Sequence, residues 1–458
     1  MIRIVYIDNH LFFMKKRTNN STKKHLFSFH KRKSQRITKR KQEVKWKVIT
    51  IEGQPLERGI QHGKQLYKEL KRLLFVFPFI VAKSFNVSLA KYIQVCRKNV
   101  KPIIKSEFPE FYQEIEGISK GAHQMGVKIS VDEIIAWNCF LSMMEYFNNE
   151  NKSQRCSAFI ATGNATSSGE IVMAHNTHCD LVTGSLYNII MYVIPENGFA
   201  FVMQTAAGYI ASGTDFFISS CGIVGCETTI WGATYQPKFK NNYPYFCRIR
   251  QANQYGKTLD DYERIMTTKN AGDYPCSWLF GDIYTNEIML CEIGLKITNV
   301  KRTKNGVYYG MNSAIDDNLR KKETMDDSID DISQSSGARK KRLHQLLYRK
   351  FYGKINSAVA KDILADHYDE YDEKHVPSNL TICNHFYEER YGYPHAAQDG
   401  KVVDSNLARE MQFWAIWGSS CGKKFSKNEY IRKHPAKADY EPYLIDYPKG
   451  NWELIKRV

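Results

Sequence analysis

Residues 155–180, RCSAFIATGNATSSGEIVMAHNTHCD, constrain this chain more than any other stretch. An apolar strand begins at Cys156, a polar turn with Asn164 and Gly169 follows, and a second apolar strand runs into His175-Asn176-Thr177-His178. Apolar runs on either side of an Asn/Gly/Ser turn predict a β-hairpin. The hairpin folds His175 and His178 back towards Cys156, and a thiol with bases in reach on a sheet is how a nucleophilic cysteine is usually presented. Side chains alternate along a strand, so histidines three apart point to opposite faces unless the strand ends between them. His175 is therefore the stronger partner for Cys156.

The texture around this hairpin divides the chain. Residues 1–45 are basic and Ser/Thr-rich without apolar periodicity, which predicts a disordered arm. KWKVITIEG, from Lys45, reads as a strand, and the chain is then mostly helical to about residue 150. A capping box at Ser130 and Glu133 starts the last of these helices. From Cys156 to about residue 313, seven apolar or alternating stretches predict strands. Residues 317–337 read as a charged surface loop, followed by helices at RKKRLHQLLYRKF and SAVAKDILADH and a mixed end containing Trp414, Trp417 and Trp452. The expected division is an arm (1–45), a helical segment (46–155) and a catalytic body (156–458).

Charge excludes one class of function. Residues 1–50 carry 15 Lys or Arg against Asp8 and Glu43, a net +13 of the chain's +17, so the remaining 408 residues hold only +4. A near-neutral body without an RNA-binding motif argues against a nucleic-acid partner. The 11 cysteines are scattered without CxxC pairs, which argues against a disulfide scaffold and a zinc ribbon; no metal and no cofactor is expected. His385 in TICNHFY reads as structural, and Cys179 and Cys226 as packing. The longest apolar run, LLFVFPFIVA, is too short to span a membrane and contains Pro78. The opening residues lack the pattern of a signal peptide, so a cytoplasmic location is the default, with lysosomal or secreted as the alternative.

Four stretches together resemble a known family. CSAFIATG…AHNTHCD, IEGQPLERGIQHGKQL, IEGISKGAHQMG with IAWNCF, and GYIASGTDFFISSCGIVGCETTI are similar to motifs of the N-terminal-nucleophile cysteine hydrolases of the phospholipase B-like and penicillin acyltransferase-like groups. The resemblance covers roughly residues 46–458. It departs from the acyltransferase-like pattern at His175 and His178, where that group carries Arg and Asp, and from the phospholipase B-like pattern at His178, where a tryptophan is usual. It implies an α+β fold, an αββα sandwich of two antiparallel sheets with helices outside.

The resemblance also implies autocatalytic cleavage between Arg155 and Cys156, into fragments of 155 residues and the remaining 303 of 458, which stay associated. The freed α-amine then acts as base for the thiol, which suits their ordinary pKa values of about 7.7–8.0 and about 8.5. Asn312 would donate its amide to an oxyanion, and Arg339, with Arg342 as a close rival, would favour thiolate and bind the substrate's polar end. His175 would complete the catalytic set. His178, Asn176 and the Thr229 hydroxyl would line the substrate site. The expected reaction is hydrolysis or transfer of an acyl group from an amide or ester, with a lipid-like substrate. Phe199, Phe201, Phe216, Phe217 and Trp231 are candidates for an acyl pocket. The rival expectation is an inactive relative that keeps the fold as a lipid-binding or carrier protein.

Overall fold

The computed structural model describes residues 45–147 and 155–457; the expected arm, residues 1–45, lies almost wholly outside them. Two sheets form the centre. The first has eight strands: β1 (Lys47–Gly53), and, past β2 (Arg155–Gly163) and β3 (Gly169–Asp180) of the second sheet, β4 (Ile189–Pro195), β5 (Phe201–Thr205), β6 (Phe216–Ser219), β7 (Ile223–Thr229), β8 (Cys276–Asp282), β9 (Glu287–Ile293) and β10 (Thr298–Thr303), in spatial order β1-β4-β5-β6-β7-β8-β9-β10. Only β1 runs parallel to its neighbour.

The second sheet begins with β11 (Gly306–Gly310). A two-residue ribbon of β12 (Tyr368–Asp369) and β13 (Lys374–His375) stands apart from both sheets. After it come β14 (His395–Ala397), β15 (Asp399–Asp404), β16 (Phe413–Trp417) and β17 (Glu453–Ile455). The second sheet orders β11-β2-β3-β15-β16-β17, with β14 also on β3, and is antiparallel throughout.

Strand period decides the layers. Ala158, Ile160, Ile171, Met173 and Val403 of the second sheet face Ile190, Val202, Phe216, Val224 and Leu290 of the first across one buried apolar layer. The alternate residues face outwards. Ile49, Met191, Phe217 and Trp278 pack under the helices on the first sheet. Phe159, Ala161, Val172 and Ala174 pack under the helices on the second. The result is a four-layer αββα sandwich, with each side chain's layer set by its position in a period of two.

Helices α1 (Pro55–Gln65), α2 (Tyr67–Phe85), α3 (Leu89–Asn99), α4 (Lys101–Glu107), α5 (Pro109–Gln124) and α6 (Val131–Asn138) cover the first sheet. The Ser130–Glu133 capping box begins α6. In α1 and α5 the glycines serve contact. A Cβ on Gly59 would sit 2.0 Å from the Glu114 carbonyl oxygen, and one on Gly121 2.3 Å from that of Ile60, so the two backbones touch. Beside them Glu114 accepts from Arg58 and from Arg250 at 2.8 and 2.9 Å, all three buried. Arg250 lies on α8 (Tyr245–Tyr255), which follows the short α7 (Leu181–Gly184) and precedes α9 (Leu259–Thr267).

Two expectations change. The supposed surface loop at 317–337 contains α10 (Asp317–Glu323), because the Glu323 carboxylate turns inward and accepts from the amides of Leu295, Lys296 and Ile297. Two stretches read as single strands, around 215–230 and 277–294, are each a strand pair, and the polar β10 carries a single apolar residue, Val300. Helices α11 (Ser335–Gln345) and α12 (Ser357–Leu364) cover the second sheet. Among the described residues no single helix is long and apolar enough to cross a membrane.

Candidate active site

The hairpin exists, and its register sets the site. Cys156 pairs with Thr177 and Ala158 with His175. Cys156 shares the parity of Ala158 and Ile160, and His175 and Thr177 that of Ile171 and Met173, so all three belong to the layer between the sheets. The thiol residue is 6% exposed.

Asn312 and Arg339 cage Cys156 from behind. The Cys156 amide donates to Asn312 Oδ1 at 2.8 Å, and Asn312 Nδ2 donates to the Thr229 carbonyl at 2.9 Å. Asn312 has a left-handed φ of 78°, a conformation asparagine tolerates better than most residues. Arg339, on α11, donates through Nη1 to the Cys156 carbonyl and to Ser157 Oγ. Its Nη2 reaches the Met311 carbonyl at 2.9 Å and Asn312 Oδ1 at 3.0 Å, and Nε reaches Ser335.

These contacts change several of the expected placements. Arg339 holds the Cys156 backbone and Asn312 with donors already engaged, where a grip on the substrate's polar end was expected. Arg342 pairs with Asp366 instead. Asn312 turns its oxygen to the cysteine nitrogen, because Cys156 N and Arg339 Nη2 are both donors; its amide points at Thr229 and not at an oxyanion. Thr229 takes part through its carbonyl, while its hydroxyl bonds Tyr274 at 2.7 Å. The His178 and Asn176 side chains point behind the sheet, away from the layer between the sheets, although the His178 backbone reaches the Cys156 thiol. His178 Nε2 donates to the Ile382 carbonyl at 3.0 Å, and Asn176 Nδ2 to those of Leu364 and Ile382. Strand parity explains both. Arg155 opens β2, where it pairs with His178.

His175 crosses the layer. Its Nε2 lies 2.9 Å from the Glu227 carbonyl, which only accepts, so Nε2 carries the proton. Nδ1 then presents a bare lone pair, buried and without a hydrogen-bond partner. Burial and the nearby Lys401 charge hold this imidazole well below its usual pKa, hence neutral. Burial, then the Glu227 carboxylate, pushes the Cys156 thiol far up, so it is protonated at neutral pH.

Sequence reasoning missed the polar groups around this core. Asp215 and Glu227 are both buried, and Tyr274 donates to Glu227 at 2.8 Å. Burial lifts Asp215 to about 7, and burial with the Asp215 charge lifts Glu227 well above the usual carboxylate range, so the pair keeps a proton towards neutral pH. Lys401, fully buried on β15 opposite His175, donates to Thr177 Oγ1 and Asp399 Oδ1, both at 2.6 Å. Asp399 in turn accepts from Gln204 of the other sheet at 2.8 Å. A lysine at an inward position of the strand DGKVVD was the one signal available. Phe201, Phe216 and Phe217, expected at an acyl pocket, are fully buried core; Cys179 and Cys226 also pack in core.

No protein-family model matches the chain. An uncharacterized protein of Archaeoglobus fulgidus is 23% identical over 251 residues, 51% of this chain; the match spans only 41% of that relative's length. Solved structures similar to the chain include a mutant of conjugated bile acid hydrolase from Clostridium perfringens (8% identity, TM-score 0.32, covering 57% of this chain and 88% of that one). Another is penicillin V acylase from Agrobacterium tumefaciens (11% identity, TM-score 0.31, covering 57% and 82%). Likeness at that level does not decide the chemistry.

Proposed function

We propose that this chain is an N-terminal cysteine hydrolase that cuts itself between Arg155 and Cys156 and then cleaves acyl groups from amide or ester substrates. The observation that carries this reading is the cage on Cys156. Its nitrogen, its carbonyl and the residue after it are each held by Asn312 or Arg339, while its side chain belongs to the layer that holds His175. A structural core cysteine needs no such hold on its backbone.

In the uncut chain no α-amine exists, and the protonated thiol needs another base. The bare Nδ1 of His175 belongs to the same layer and supports that role. The sulfur adds to the Arg155 carbonyl carbon, the C–N bond breaks, and the Cys156 nitrogen takes the thiol's proton. Water then hydrolyses the thioester, giving an Arg155 carboxylate and a free Cys156 amine and thiol. Asn312 Oδ1, which already faces this nitrogen, would accept from the new amine and hold it as base for turnover. Each turnover repeats the chemistry on an external acyl group: the thiolate forms a thioester, the leaving amine or alcohol takes a proton, and water releases the acid.

The two fragments would stay joined, because β1 lies upstream of the cut and pairs along its length with β4 downstream, as does Glu114 with Arg250. A lipid-like acyl chain is the narrower form of the proposal. It is supported by the resemblance to the phospholipase B-like group, and no longer by Phe201, Phe216 and Phe217. The test is acid-quenched mass spectrometry of the matured protein with a panel of N-acyl amides and phospholipids. An acyl mass on the peptide beginning at Cys156, absent from Cys156→Ser, is the expected result. Turnover undiminished in Cys156→Ser would refute the assignment.

A further inference from the structure

Far from Cys156 in sequence, four ligand-type side chains converge. His367 Nε2, Cys383 Sγ, His385 Nε2 and Cys421 Sγ all lie within 4.8 Å of one another. They come from the end of the α12 segment, from the 378–385 loop and from the turn after β16, at spacings no linear motif describes.

Hydrogen bonding alone does not account for this cluster. His385 Nε2 stands 3.0 Å from His367 Nε2, 3.4 Å from Cys383 Sγ and 3.5 Å from Cys421 Sγ. One imidazole nitrogen carries either one proton or one lone pair and can satisfy one of these three neighbours. Its tautomer is also set from the far side. His385 Nδ1 faces Glu388 Oε1 and the Tyr387 hydroxyl, both at 3.2 Å, and Lys423 anchors the other Glu388 oxygen at 2.6 Å. A carboxylate at Nδ1 holds the proton there and turns the Nε2 lone pair into the cluster, as carboxylates commonly do behind a metal-bound histidine. The spacing agrees as well. A tetrahedral zinc with Zn–S of about 2.3 Å and Zn–N of about 2.0–2.1 Å places N···S edges at about 3.5 Å and N···N edges at about 3.3 Å.

We propose that His367, Cys383, His385 and Cys421 bind one zinc ion in a closed, four-ligand structural site. Two thiolates and two imidazoles in this geometry favour zinc over the oxygen-seeking cations. The site does more than tie three loops together. Ile382, beside Cys383, accepts from Asn176 and His178, and Ser420, beside Cys421, donates to Asn176. The ion therefore braces the back of β3, whose front carries His175 and Thr177.

The experiment is elemental analysis of the full chain, purified in reducing buffer without chelator, followed by cobalt(II) replacement. Wild type, Cys156→Ala and the control Cys221→Ser should each hold about one zinc per chain. Cobalt should give tetrahedral d–d bands with thiolate charge transfer, and Cys383→Ser/Cys421→Ser should lose both. Including Cys156→Ala separates the metal site from the proposed chemistry. The wild-type spectrum decides the matter even where the double variant does not fold. Wild type that binds no zinc when zinc is supplied in reducing buffer, or cobalt in an octahedral site without thiolate bands, would overturn the proposal. So would full metal retention in the double variant, or a Cys383–Cys421 disulfide that persists in reducing buffer.

Discussion

The two faces of β3 differ more than two neighbouring regions of one strand need to. At the front, His175 and Thr177 belong to the layer between the sheets with Cys156, Lys401 and the Glu227 carbonyl. At the back, Asn176 and His178 are tied to the Ile382 carbonyl and to Ser420, beside the His/Cys cluster. Both histidines donate from Nε2 to a backbone carbonyl and both are fully buried and neutral. Their environments separate them, one in the layer between the sheets and the other under the loop that carries Ile382. The lesson is that HNTH is one motif in sequence and two in space, one half in the layer between the sheets and the other behind it.

The largest way to break this comparison is at the front. His175→Ala should slow self-cleavage about 10²- to 10⁴-fold, the usual worth of a positioned base. It should slow acyl turnover of already matured protein less, because the α-amine then serves. Fragment appearance over time, against acyl release, checks both.

At the back the order reverses. Asn176→Ala leaves two buried carbonyls short of a donor and should lower unfolding free energy by about 1–3 kcal/mol in urea. Its acyl turnover per folded molecule should stay within a few-fold of wild type, and a collapse of turnover would erase the distinction between the faces.

A pH dependence should accompany these effects. Because Asp215 is raised to about 7, the folded protein binds a proton that the unfolded chain has lost between about pH 4 and about pH 7. That contribution is complete below the unfolded pKa and disappears as pH rises through the folded one. Stability should therefore fall across this window, and Asp215→Asn should flatten the slope. The smaller of the two pH effects is at His62, lowered to about 4 by burial, whose Nε2 accepts from the Gly208 amide. Its contribution is present above about pH 6.5 and disappears as pH falls towards 4. His62→Gln should weaken that acid loss in the same titration.

How much of this was legible follows from distance along the chain. The Cys156 hairpin could be read because its turn, strands and histidines are local, and strand parity alone separated His175 from His178. The αββα layering was within reach of the resemblance, though β10, polar but for Val300, was not. The acid pair and the Lys401–Asp399–Gln204 bridge join residues brought together only by sheet packing, so no spacing marked them. The His367, Cys383, His385 and Cys421 cluster was hidden for the same reason. Arg339 and Asn312 do lie against Cys156, but which of their atoms faces it is a property of geometry alone.

Intact mass of the purified wild-type chain beside Cys156→Ala tests the central claim most directly. The account predicts two wild-type fragments, one ending at Arg155 and one of 303 residues beginning with Cys156, and a single variant chain of 458. A wild-type chain that remains whole, or is cut equally in the variant, would contradict it.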